Sequence, residues 1–261
     1  MAMMIWLTGL QVYAEDSYSA YIDSVMETFS ENNKSCESAP QQQVNGAYRS
    51  AQLLNVIAKE LDTFDTYSDY IDSVMDTLAE NNKSCESAPQ QLANGLYRSV
   101  ELLEVIAYET DTSKTYSDYI ESVMDTFREN DKNCESAPQQ AVNGAYRSVQ
   151  LLEVIARSLD TSDTYSDYVD SVMDTFKENN RNCNSAPQQL VNGTYRSVQL
   201  LEVIARTTDS SETYSDYIGT VMDTFRENNK SCESAPQQAV NGLYRSVQML
   251  EVIARSQDSW I

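Results

Sequence analysis

Five tyrosine–arginine pairs stand 49 residues apart along the 261-residue chain: Tyr48-Arg49, Tyr97-Arg98, Tyr146-Arg147, Tyr195-Arg196 and Tyr244-Arg245. A tyrosine offers a flat apolar face and a hydroxyl, and a guanidinium offers donors in a planar fork. Repeated along a surface, such pairs suit recognition of an extended peptide, protein or glycan. They are the residues expected to touch a partner. The plainer alternative is that the rings pack between neighbouring helices while the arginines pair with local carboxylates.

Two other sets were weighed for chemistry. Asp69, Asp72, Asp76 and Glu80, with counterparts in the other copies, form a carboxylate line. Such a line suits a solvated face, or weak binding of calcium or a polycation, although nothing resembles an EF-hand loop. Cys36, Cys85, Cys134, Cys183 and Cys232 recur at the same 49-residue interval. With one cysteine per copy there is no C-x-x-C pair, and the chain has no histidine to complete a zinc sphere. Packed helices lie about 8–10 Å apart, whereas a disulfide needs Cα atoms about 4.4–6.8 Å apart, so the cysteines are expected to be free. No nucleophile has a base at recognisable spacing, and no copy stands out by a polar cluster of its own. The expectation is a non-enzymatic protein with no cofactor and no metal site.

These residues are carried by a repeat without insertions. Blocks 17–65, 66–114, 115–163, 164–212 and 213–261 align throughout, after a segment 1–16. The 49-residue unit with its Asn-Gly-x-Tyr-Arg-Ser motif fits none of the tetratricopeptide, ankyrin or HEAT patterns. In the second block, Tyr67, Tyr70, Ile71, Val74, Met75 and Leu78 fall on one face of a helix of about fifteen residues. Thr66 with Asp69 reads as its capping box, and Asn81-Asn82 as its end. The run Ser38-Ala39-Pro40-Gln41 and its copies read as a second helix start, a Ser-x-x-Gln capping box with proline in the first turn.

That second helix runs from about Ala88 to Tyr108. Leu92, Leu96, Ser99, Val100, Leu103, Ile106 and Ala107 form its main stripe, widened by Gly95 and Leu102, while Asn94, Tyr97, Glu101, Val105 and Tyr108 fall on the other side. Gly95 inside a helix costs about 1 kcal/mol relative to alanine, which a close approach by another helix can offset. One hairpin cannot bury so broad a face alone. The expected fold is all-α: five αα-hairpins stacked as an α-solenoid, joined by acidic turns such as 160–163. The runner-up is a closed helical bundle.

Forty acidic against eighteen basic residues give a net charge of −22, which disfavours nucleic acid and anionic membranes and favours cationic or neutral partners. The fifth block keeps Tyr244, Val247, Met249, Leu250 and Ile253 where a terminal repeat needs a polar cap. That predicts an exposed end and, as an alternative function, end-to-end homo-oligomerisation into a filament or surface layer. The short apolar run in 1–16, followed by Val12-Tyr13-Ala14, reads as a secretory signal or a capping helix and is too short to span a membrane, so a secreted or periplasmic location is expected.

Overall fold

The computed structural model describes the backbone of residues 5–35, 38–84, 87–133, 136–182, 185–231 and 234–258. It describes their side chains apart from 5–17, 33, 82, 84 and 258. The five cysteines, the residues of the signal-like run and Trp260-Ile261 therefore lie outside the described side chains. Among the described residues the chain forms ten helices and no strand. They are α1 (Ile5–Ser35), α2 (Ala39–Leu61), α3 (Ser68–Ser84), α4 (Ala88–Thr110) and α5 (Ser117–Asn133), then α6 (Ala137–Leu159), α7 (Ser166–Asn182), α8 (Ala186–Thr208), α9 (Ser215–Ser231) and α10 (Ala235–Asp258). No described helix is long and apolar enough to cross a membrane.

Local chemistry sets the helix limits. Each even-numbered helix starts after a serine, and the serine hydroxyl meets the Oε1 atom of the glutamine three residues on, at 2.9 Å for Ser87–Gln90 and 3.1 Å for Ser38–Gln41. In α4 the Ser87 N–H also donates to Gln90 Oε1 at 3.2 Å, so the box closes from the glutamine side. The odd-numbered helices are started differently from the sequence expectation. Asp62, at the C-terminus of α2, accepts from the N–H groups of Thr66 and Tyr67 at 2.8 and 2.7 Å, and Asp111 and Asp160 do the same one and two repeats on. A carboxylate fixed by the preceding helix accepts more strongly than the Thr66 hydroxyl, and it displaces the Thr66–Asp69 box. Just before these caps the chain passes through left-handed backbone at Asp65, Lys114, Asp163 and Glu212, with φ of 53–56°. At the other end α3 continues through Asn81-Asn82 to Ser84.

Packing gives two layers. The even helices touch one another in sequence, α2 to α4, α6, α8 and α10, and each odd helix sits outside against its own partner and the even helix of the preceding repeat. The stack then closes, because α10 packs on α2 and α1 packs on α10. The five hairpins thus form a ring with an inner circle of long helices and an outer circle of short ones. Its core is a continuous band in which Phe29, Leu78, Phe127, Phe176 and Phe225 occupy equivalent, fully buried places.

Closure repeats the internal contacts. A Cβ placed on Gly95, Gly144 or Gly193 would come within 3.0 Å of the Cβ of Ala47, Leu96 or Ala145 on the neighbouring helix, and one on Gly46 would meet Leu243 at 2.9 Å. The expected close approach at glycine is therefore real, and it recurs across the seam. Arg255 reaches Asp23 at 2.6 Å, as Arg157 reaches Asp170 and Lys59 reaches Asp72. The exposed end predicted for the fifth block is absent: Val247, Met249, Leu250 and Ile253 are buried, and the Tyr244 ring lies 4.7 Å from that of Phe29. The physical reason is a wedge-shaped repeat. Glycine, alanine and serine let the inner helices crowd together while aromatic and aliphatic side chains hold the outer helices apart, so each hairpin turns by one fifth of a circle. The face expected to be left open for end-to-end association is covered by the first repeat.

Candidate functional site: interhelical clefts

The Asn-Gly-x-Tyr-Arg-Ser motif is now divisible by role. Its asparagine is buried and donates from Nδ2 to a carbonyl near the end of its own hairpin partner: Asn94 to Leu78 at 3.1 Å, and Asn45, Asn143, Asn192 and Asn241 to the equivalent phenylalanine at 3.0 Å. This bond locks the hairpin. Asn192-Gly193-Thr194 has the Asn-x-Thr form of a glycosylation acceptor, and the burial of Asn192 puts it out of reach of that modification. Sequence reasoning set Asn94 and Val105 on the outer side of their helix, yet both are buried, because the outer helices cover that side too. The serine lines the ring axis. Ser99, Ser148 and Ser246 donate to the carbonyls of Gly95, Gly144 and Gly242, and with the leucines of the next turn they line a cavity of about 50 Å³.

The tyrosines are half-buried and sandwiched. The rings of Tyr97, Tyr146 and Tyr195 lie 4.5–4.7 Å, tilted, from the phenylalanine of the next repeat's outer helix. On each of the five tyrosines the guanidinium of the following arginine sits 4.5–4.9 Å from the ring centroid. In these repeats the flat faces expected to meet a partner are taken up by the protein. Tyr48 is the exception in kind, since Leu78 stands where the others have phenylalanine.

The arginines are also half-buried, and among the described residues one of them, Arg98, pairs with a carboxylate. Arg49, Arg147, Arg196 and Arg245 each donate through Nη1 to the side-chain oxygen of Gln52, Gln150, Gln199 or Gln248. That glutamine in turn donates from Nε2 to a tyrosine hydroxyl of the outer helix, at 3.1 Å for Gln150–Tyr119 and 3.2 Å for Gln199–Tyr168. Among the described residues these four guanidinium groups make no ion pair, and the Nε of each is buried without a hydrogen-bond partner. Burial lowers the affinity of all four for their proton.

Clefts open beside these arginines at the junctions between repeats. The one at Arg49 has a volume of about 610 Å³ and is lined by Asn32, Gln41, Val44, Tyr48, Arg49 and Gln52, with Gln91 from the second repeat. The cleft at Arg147, of about 510 Å³, has Asn130, Gln139, Val142, Tyr146 and Arg147, with Asn180 and Gln189 from the fourth repeat. Between them, at Arg98, lies one of about 480 Å³ lined by Asn81, Gln90, Tyr97, Arg98 and Asp131. The predicted residues Tyr48, Arg49, Tyr97, Arg98, Tyr146 and Arg147 thus line three equivalent hollows rich in amides. Spacing alone missed those amides, although their fixed offsets from the Tyr-Arg pair are in the sequence. Tyr195-Arg196 and Tyr244-Arg245 hold the same ring and hydrogen-bond geometry.

One junction, between the second and third repeats, departs from the rest, against the expectation that no copy holds a polar cluster of its own. Glu101 stands where the other repeats have Gln52, Gln150, Gln199 and Gln248, and Asp131 stands where they have asparagine. Arg98 Nη1 meets Glu101 at 2.5 Å. A glutamate cannot donate to tyrosine as the glutamine does, while the Tyr70 hydroxyl still donates to Glu104 at 3.3 Å, as Tyr168 and Tyr217 do to Glu202 and Glu251 at 3.5 Å, and Arg128 approaches the Glu104 carboxylate at 3.4 Å. Burial raises the Glu101 and Glu104 carboxyls against the opposing pull of their arginines, and it raises Asp131 against Arg98. The Tyr70 hydroxyl is pushed well above the usual phenol range by burial and by Glu101 and Glu104. The carboxylate line Asp69, Asp72, Asp76 is outward and exposed, and the described residues hold no carboxylate group arranged to take a metal ion.

A second hollow lies on the axis at the N-terminal end of the inner helices. Its volume is about 150 Å³, and prolines, alanines and leucines of all five repeats line it, with Gln43 donating to the Pro236 carbonyl at 3.0 Å. Comparison of the chain with protein-family models, with curated proteins and with solved structures returned no match.

Proposed function

We propose that this chain is a non-enzymatic, ring-shaped binding scaffold whose inter-repeat clefts hold a polar partner, a peptide, protein or glycan. The observation that supports the reading is the recurrence, at equivalent junctions, of clefts of about 480–610 Å³ walled by arginine, tyrosine edge, asparagine and glutamine. That volume is ordinary for small-ligand sites. The walls supply donors and acceptors held by packed helices, so little conformational freedom is lost when a partner binds. Because the clefts lie around a ring, a partner with several like groups engages several at once, and each further contact is intramolecular.

The test is to screen the full chain against glycan and peptide arrays and repeat the screen with Gln139→Trp. Gln139 is an exposed residue on the lip of the Arg147 cleft. The indole fills that cleft without entering the core, so a partner of the wild-type chain should lose signal while stability falls by no more than the loss of the Ser136–Gln139 contact at the helix start, about 1 kcal/mol. Partner binding that ignores Trp at this lip, and at the equivalent Gln41, would refute the cleft as the binding surface.

A further inference from the structure

The four arginines without a carboxylate pose a chemical question that the second repeat answers. Among the described residues each of these cations has a neutral amide as hydrogen-bond partner and a tyrosine ring beside it, which offset its desolvation in part and leave donors for an anion. At the junction of the second and third repeats the protein supplies that anion itself, with Glu101 of the second on Arg98 and Asp131 of the third on the cleft wall. Counting the groups beside each guanidinium, the Arg98 cleft carries one positive and two negative charges. Among the described residues no carboxylate pairs with Arg49 or Arg147, and the sequence has amides at the aligned positions, Gln52 and Asn82 for the one and Gln150 and Asn180 for the other.

We propose that the clefts at Arg49 and Arg147 each bind the carboxylate of an acidic sugar, and that Glu101 and Asp131 close the Arg98 cleft to it by occupying the anion's place. The inference rests on the reading of the clefts as binding sites, and it names their ligand. A carboxylate suits the planar guanidinium fork, and the surrounding amides of Asn32, Gln41 and Gln91, or of Asn130, Gln139 and Gln189, match the mixed donors and acceptors of sugar hydroxyls. Since the tyrosine faces are covered, recognition depends on the charge and the amides rather than on stacking. The net charge of −22 does not forbid this. At physiological ionic strength, charges more than about 8 Å away are largely screened, and the groups inside the cleft dominate.

The experiment titrates the intact chain with glucuronate, glucose and acetate at 0.15 M salt, following the arginine Nε–H resonances. Glucuronate should bind at least tenfold more tightly than either of the others and shift the Arg49 and Arg147 signals, leaving Arg98 in place. The double variant Glu101→Gln, Asp131→Asn, which installs residues the other repeats already carry, should then bring the Arg98 signal into the glucuronate response and add a site. Glucose or acetate binding as well as glucuronate would overturn the proposal while the broader reading of the clefts survives. An Arg98 signal that moves in the wild type, or stays still in the double variant, would overturn it as well. Silence of all three probes together with blank arrays would remove both.

Discussion

Each buried asparagine is tied to the outer helix of its own hairpin and each half-buried tyrosine ring to the outer helix of the next repeat, and that is where residue-scale effects are expected. The Tyr146 ring is held between Arg147 and Phe176, so Tyr146→Ala removes both an aromatic contact and the support of a half-buried guanidinium. Full burial of a large aromatic is worth about 3–5 kcal/mol on truncation. For a half-buried ring the loss should be nearer about 2 kcal/mol, read as a fall in denaturation midpoint, and less at Tyr48, which has Leu78 in place of phenylalanine. Equal losses at the two positions would mean the phenylalanine contact contributes nothing.

The charged cluster of the second repeat makes a pH prediction. Burial lifts the carboxyls of Glu101 and Glu104 above their ordinary range, so the native state holds these protons more tightly than the unfolded chain. Their contribution is then full below the unfolded value and is lost as pH rises through the folded one. Relief of repulsion among forty acidic residues acts in the same direction. The melting temperature should accordingly be higher at pH 5 than at pH 7.5, and Glu101→Gln should narrow that difference. A melting temperature that climbs from pH 5 to 7.5 would show that carboxylate pairing outweighs burial here. The identities behind this cluster were in the sequence all along. Glu101 and Asp131 are 30 residues apart, however, and only the packing of one repeat's inner helix on the next repeat's outer helix brings them to the same arginine.

At the scale of the element, glycine separates packing from propensity. Gly193 lies where an added Cβ would sit 3.0 Å from that of Ala145 and 3.4 Å from its backbone, while Gly219 in α9 has nothing within 4 Å. Gly219→Ala should therefore stabilise by about 0.5–1 kcal/mol, the ordinary helix-propensity gain. Gly193→Ala should destabilise, because two helix backbones must part. Thermal melts of the two variants in opposite directions would confirm the contact, and shifts of the same sign would deny it. Helices of this kind were plain in the sequence: the 3.6-residue periodicity, the Ser-x-x-Gln starts and the need for a close partner at Gly95 all reappear. Two details were not plain. Asp62 serves as cap for the helix after it, which no local pattern distinguishes from a turn residue. Val105 and Asn94 were set on the outside because a helical wheel has no knowledge of a second layer of helices.

At the scale of the whole molecule the question is whether the hairpins end or close. Period and hairpin were legible because each is a property of one block. Ring closure depends on the angle between successive blocks, which sums small differences in side-chain size over five interfaces, and no single residue announces it. If five repeats are what the wedge requires, excising residues 115–163 leaves a four-hairpin array that cannot close without strain. It should unfold at lower denaturant or associate through its uncovered faces, visible by light scattering.

The most direct measurement is a proton–proton Overhauser contact between the Gly46 α-protons and the Leu243 side chain, 197 positions away along the chain. The internal reference is the contact between Gly95 and Ala47, which any stack of these hairpins possesses. A closed ring gives both contacts at similar strength. Observation of the Gly95–Ala47 contact with no Gly46–Leu243 contact would mean an open stack, and would contradict the ring.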